Sequence, residues 1–181
     1  EDAWTASYER TLDGYVDAVE AAFLATDFDT MQRLMAVVLR HAQSVLDQVR
    51  VHEIRMGYHI AKEKGQQDAV DLGLKTLAML GLHLPHKPNN FIIARQYLKI
   101  KWFLGGKALE TLGGLPEMTG RYPLAAVRIL RSLSTAAHQV QPKLLPLMVF
   151  SAIHLCLKHG NTAWSAFCYA GYGFILCGAF G

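Results

Sequence analysis

Acidic residues are nearly missing from the second half of this chain. Residues 91–181 hold two, Glu110 and Glu117, against nine Lys and Arg, whereas residues 1–90 hold thirteen acids against nine bases. The net charge of +3 hides this asymmetry. A basic second half could face nucleic acid, anionic lipid or an acidic neighbour, and the counts do not choose among them. Cysteine is scarce too: Cys156, Cys168 and Cys177 all lie near the C-terminus. An odd number without framework spacing excludes a disulfide scaffold and suits buried thiols in a reducing compartment, so a cytoplasmic location is expected. Six prolines, 18% charged residues and no low-complexity tract exclude a collagen-like or disordered segment. Residues 1–20 carry Glu1, Asp2, Glu9, Asp13, Asp17 and Glu20 where a secretory leader needs a basic start and an apolar run. The opening at Glu1 leads us to expect a piece of a longer protein.

What is present is apolar residues, 51% of the 181, at helical spacing. Trp4, Tyr8, Leu12, Tyr15, Val19 and Phe23 recur three or four apart and predict a helix from about Ala3 to Ala25. Phe28, Met31, Met35, Val38, Ala42 and Leu46 continue with a second stripe, with Asp27 or Asp29 as its N-cap, and the two form a hairpin. Val51 to Ala61 makes a third helix, with Gly65 as its C-cap, and Asp68 to Gly81 a fourth. Pro85 and Pro88 break the chain over Leu84 to Asn90, the best internal boundary. Helical patterns then cover Phe91 to Leu104, a short element around Ala108 to Leu112, Arg121 to Gln141, Lys143 to His159 and Thr162 to Phe180. The expectation is an all-α protein of seven to nine antiparallel helices filling residues 1–181 as one repeat domain.

Hairpins in series invite a test for a tetratricopeptide (TPR) repeat, whose period is about 34 residues. In Lys64-Gly65-Gln66-Gln67-Asp68-Ala69-Val70, Gly65 fits the turn and Ala69 the tight crossing of two helices. Ala25-Thr26-Asp27-Phe28 fits the same place one unit earlier. The step from Thr26 to Gly65 exceeds that period and Gly160 lies much further on, so the expected array is an irregular TPR-like α-solenoid.

Motifs for chemistry are weak. His52-Glu53-Ile54-Arg55-Met56 imitates a zinc-protease helix, but Met56 stands where the second ligand belongs. His52 and His59 share a helix face, and two ligands hold a metal poorly. Gly105-Gly106-Lys107 lacks the Ser or Thr of a phosphate loop, since Ala108 follows, and no strand precedes it. No nucleophile or carboxylate pair has the partners that catalysis needs, so no catalytic residue, metal or cofactor is assigned and no enzyme is expected. Two basic stripes remain as candidate partner-binding residues: Arg95, Lys99 and Trp102 on one helix, and Arg121, Arg128 and Arg131 on another. Their charge density is below that of a nucleic-acid site, so a solvated face or a dock for an acidic protein is the plainer reading. Residues 161–181 carry no charge, which raises the rival reading of a membrane-embedded hairpin over about 144–180. Pro146, Ser151 and His154 in its first arm, and the Gly and Ala content of its second, favour a buried solenoid helix.

Several stretches resemble the helical, TPR-like region of very large multidomain signalling proteins. In that family it lies between an AAA-type ATPase module and downstream GAF and histidine-kinase or cyclase domains, often behind a serine/threonine-kinase domain. The matching words are Leu24-Ala25-Thr26-Asp27-Phe28, Val38-Leu39-Arg40-His41-Ala42, Val49-Arg50-Val51-His52-Glu53-Ile54, Leu80-Gly81-Leu82-His83-Leu84-Pro85, Leu115-Pro116-Glu117-Met118-Thr119, Leu124-Ala125-Ala126-Val127-Arg128-Ile129-Leu130 and Ser165-Ala166-Phe167-Cys168-Tyr169-Ala170. They span nearly the whole chain. The resemblance implies a non-catalytic scaffold relaying signals between neighbouring domains, and it carries over no catalytic residue. The expected partners are proteins: neighbouring domains of the same chain, a peptide, or a second copy through the C-terminal hairpin. Neither nucleic acid nor a membrane is expected; the alternatives are the embedded hairpin and a weak binder of nucleic acid or anionic ligands.

Overall fold

A computed structural model describes residues 3–105 and 109–180, with the side chains of 109–111 and 179–180 left aside. Among the described residues the fold is all-helical, and the one strand-like contact is an isolated bridge between Glu117 and Asn161. The helices are α1 (Ala3–Ala6), α2 (Tyr8–Leu24), α3 (Phe28–His41), α4 (Val45–Ala61), α5 (Gln66–Met79), α6 (Asn90–Leu104), α7 (Arg121–Val140), α8 (Leu144–His159) and α9 (Ser165–Phe180), with a 3₁₀ turn at Leu109–Gly114. Gly106, Lys107 and Ala108, the rejected phosphate-loop residues, lie outside the described residues.

Two expected helices each divide. The first breaks at Ser7, leaving the single turn α1, whose Trp4 stacks on His41 with ring centroids 4.5 Å apart. The second stripe ends at His41 because Ser44 starts a new helix. The Ser44 hydroxyl accepts from the Asp47 N–H at 3.2 Å and the Asp47 carboxylate accepts from the Ser44 N–H at 2.8 Å, a reciprocal capping box. Leu46 therefore belongs to α4, although it falls on the apolar spacing of α3. Asp27, of the two caps considered, is the one used: its carboxylate accepts from Thr30 N–H.

Gly65 is also not where its sequence context suggests. The left-handed residue of the α4–α5 turn is Lys64 at φ 62°, matched in the α2–α3 turn by Thr26 at φ 59°. Gly65 is the N-cap of α5 at φ −86°, and its requirement is space: a Cβ there would sit 2.0 Å from the His59 carbonyl oxygen. The chain closes over the end of α4 so tightly that only hydrogen fits. Ala69 one turn later is fully buried, as the crossing position requires.

Successive helices add in a regular manner. Helix α4 packs on both α2 and α3, α5 packs on α4, and α7 packs on both α5 and α4; α8 follows on α7 and α9 on α8. Helix α6 stands outside this series and packs on α8. Among the described residues three apolar clusters result. One joins α1 to α4 around Met31, Val38 and Val51; the central one joins α4, α5, α7, α8 and α9 around Leu77, Leu133 and Leu144; the third lies under α6 around Ile100, Phe150 and Tyr172. Each such side chain, fully buried, stabilises by roughly 1.5–3 kcal/mol.

Glycines 14 and 65 give opposite tests of this geometry. Gly14 is exposed inside α2 with nothing within 4 Å of a Cβ, so Gly14→Ala should stabilise by about 0.5–1 kcal/mol. Gly65→Ala should destabilise by about 1–3 kcal/mol, because a backbone carbonyl must move. Thermal melts should rise for the first and fall for the second; shifts of one sign for both would contradict the close approach at Gly65.

Candidate functional site

The first helices of three successive pairs, α2, α4 and α7, line one groove of about 760 Å³. Its walls carry Tyr8, Glu9 and Asp13 from α2, Asp47 and Arg50 from α4, and Arg121 and Arg128 from α7. The surface is charged and largely self-paired. Arg50 pairs with Asp13 across the α2–α4 seam, and Arg128 Nε pairs with Glu53 across the α4–α7 seam. Tyr8 donates its hydroxyl to Asp47 at 2.8 Å and accepts from the Gln43 N–H at 2.9 Å. Burial opposes charge on Asp47, yet the hydrogen bonds from Tyr8, Ser44 and Gln43 outweigh it and hold the carboxyl below its usual range. At Glu53 burial wins and raises the carboxyl despite Arg128, Arg131 and Arg50.

The six candidate partner-binding residues do not form one site. Arg121 and Arg128 line the groove, and Arg121 is exposed without an ion pair among the described residues. Arg131, one turn beyond, turns away and stacks its guanidinium 4.0 Å from the Trp164 ring centroid, tying α7 to the approach of α9. Arg95, Lys99 and Trp102 stand exposed on α6, which contributes nothing to the groove. Among the groove residues that sequence reading missed are Tyr8, Asp13, Asp47 and Arg50. Only Asp47 carried a local signal, the Ser44-x-x-Asp47 cap; the others meet partners 37 and 39 positions away.

A second polar cluster joins the stretch 115–119 to the start of α9. Asn161 exchanges backbone hydrogen bonds with the Pro116–Met118 segment, donates its side-chain amide to Leu112 O at 2.6 Å, and accepts from the Tyr169 hydroxyl at 2.5 Å. Gly160 beside it needs its left-handed φ of 102°, and a Cβ would lie 2.2 Å from Pro116 O. Ser165 Oγ accepts from Thr162 N–H and shares a hydrogen bond with the buried Cys156 thiol 3.3 Å away, in which either group can donate. Contact with Cys168 lowers the Cys156 thiol against the push of burial, and the same contact and burial raise Cys168. This cluster fastens the 109–118 crossover to the α8–α9 turn.

Among the described residues no group of three His, Cys, Asp or Glu could hold a metal ion. None of the described helices is long and apolar enough to cross a membrane: α8 and α9 have 16 residues each, about 24 Å against a hydrocarbon core of about 30 Å.

Burial lowers His52, His59 and His154, with Asp68 opposing it at His59, where its carboxylate lies 3.7 Å from Nδ1; among the described residues the Nδ1 atoms of all three lack a hydrogen-bond partner. The fold therefore disfavours their protonated forms. As pH falls through about 6.5 the unfolded chain takes up protons that the folded one refuses, so stability is full above that value and declines below it. Urea midpoints should fall between about pH 7 and 5.5, and His52→Gln should flatten the decline. A midpoint unchanged over that range would contradict the disfavoured protonation of these histidines.

No protein-family model, curated protein or solved structure matches this chain, so the geometry above carries the functional reading.

Proposed function

We propose that the chain is a non-catalytic interaction module of the irregular TPR-like solenoid kind, which binds a protein segment in the groove of α2, α4 and α7. One observation carries the reading: each pair's first helix packs on both helices of the pair before it, so these three helices stand side by side as the wall of a single concavity. Stacked hairpins present extended surfaces in this way, and such surfaces bind extended or helical peptides. The ion pairs within the groove hold its walls, while Arg121 is left to meet an acidic or carboxylate group of the ligand. The resemblance to multidomain signalling proteins supplies the setting: a cytoplasmic relay between neighbouring catalytic domains, with no catalytic residue of its own. Self-association belongs to the same proposal. Helix α9 exposes Phe167 and Phe174 on a face without charge, which suits a second copy.

A peptide library displayed against the parent chain tests the groove. Selected peptides should bind Arg121→Glu at least about tenfold more weakly, the range expected for a partly buried charged contact. Melting should be little changed, since Arg121 is exposed and makes no ion pair among the described residues. Peptides that bind Arg121→Glu and the parent equally would overturn this site. For the second copy, light scattering should show concentration-dependent association that Phe174→Glu abolishes, and a parent monomeric at every concentration would overturn it.

A further inference from the structure

Helix α6 is apolar on two opposite sides, and the fold uses only one. Ile93, Tyr97, Ile100 and Leu104, at helical spacing, face the third core cluster. At about 100° per residue, Phe91, Leu98 and Trp102 fall on the opposite side. Their exposures are 77%, 61% and 78%, so this stripe stands proud of the surface for about 16 Å of helix. The same arithmetic puts Arg95 and Lys99 along one flank and Lys101 along the other. All three are exposed and make no ion pair among the described residues. No acid occurs in the sequence between Asp71 and Glu110, and the neighbouring helix α8 offers Lys158 and His154 rather than an acid.

The geometry points to α6 as an interfacial helix that lies on an anionic lipid surface, with Phe91, Leu98 and Trp102 entering the headgroup–acyl boundary and Arg95, Lys99 and Lys101 meeting the headgroups. Cations on both flanks of a protruding apolar ridge match a surface that is negative outside and apolar within, and such a surface needs no complementary groove. A protein partner would need a cleft lined with acids along two parallel edges. The acidic residues on α2 of another copy, Glu9, Asp13, Asp17 and Glu20, follow one another as a single stripe and leave one flank of α6 unmatched. This is surface binding and not insertion, because none of the described helices can span. It stands independently of the groove.

The test is co-sedimentation of the full chain with vesicles of phosphatidylcholine alone or mixed with phosphatidylserine. Binding is expected for the mixed vesicles only. It should weaken at least about tenfold when salt rises from about 0.1 to 0.5 M, since the headgroup contacts are screened. Leu98→Glu and Lys99→Glu should each abolish or strongly weaken it while leaving the melting temperature unchanged. No binding to mixed vesicles overturns the proposal. So does equal binding to neutral vesicles, or binding that survives both α6 substitutions. Leu98→Glu dissolving a self-associated parent that ignores vesicles would assign the face to a second copy instead, and would equally overturn it.

Discussion

The molecule depends most on how closely α7 approaches α5. Gly73 makes that possible: a Cβ at this position would lie 2.1 Å from Leu133 Cδ1, so Leu133 sits directly over the bare backbone. Both residues are buried, and Ala125, Ala126, Ala136 and Ala137 line the same helix with side chains that end at one methyl group. Such pairs permit the short interaxial distances at the low end of helix packing, about 8 Å. Helix α7 can then touch α4 as well as α5, and its outward side becomes the third wall of the groove. Remove the close approach and the groove loses Arg121 and Arg128 together.

The C-terminal part is fastened by a different device. Between α6 and α7 the chain runs through a 3₁₀ turn and an irregular stretch, which leaves several backbone groups without helical partners. Asn161 satisfies a group of them at once, using its backbone on one side and its amide on the other, and Gly160 permits the approach. The polar network through Tyr169, Ser165 and Cys156 then fixes the start of α9. A basic residue is used up here as well: Arg131, which by spacing belongs with Arg128, is held on Trp164.

The helices were legible because apolar spacing of three and four dominates the chain; their limits were less so. An apolar stripe running from Phe28 to Leu46 conceals a break that depends on Ser44 and Asp47 capping each other. Gly65 invites a left-handed reading, yet the left-handed residue is Lys64, and the glycine answers to a carbonyl six residues earlier. Of the groove, the basic spacing of Arg121 and Arg128 could be read from one dimension, but not the walls they face. Tyr8 meets Asp47 over 39 positions and Arg128 meets Glu53 over 75, and neither pairing leaves a local trace. The outer stripe of α6 was visible as basic residues beside an aromatic, but its exposure was not, since periodicity cannot say which of two apolar sides a helix buries.

The unity of α4, α5 and α7 is the claim on which both the fold and the groove rest, and native-state hydrogen exchange of the parent and Gly73→Ala measures it most directly. The expected result is that amides of all three helices share the slowest exchange in the parent and lose protection together when alanine displaces Leu133. Loss confined to α5, with α7 as well protected as before, would contradict the close approach and with it the continuous wall of the groove.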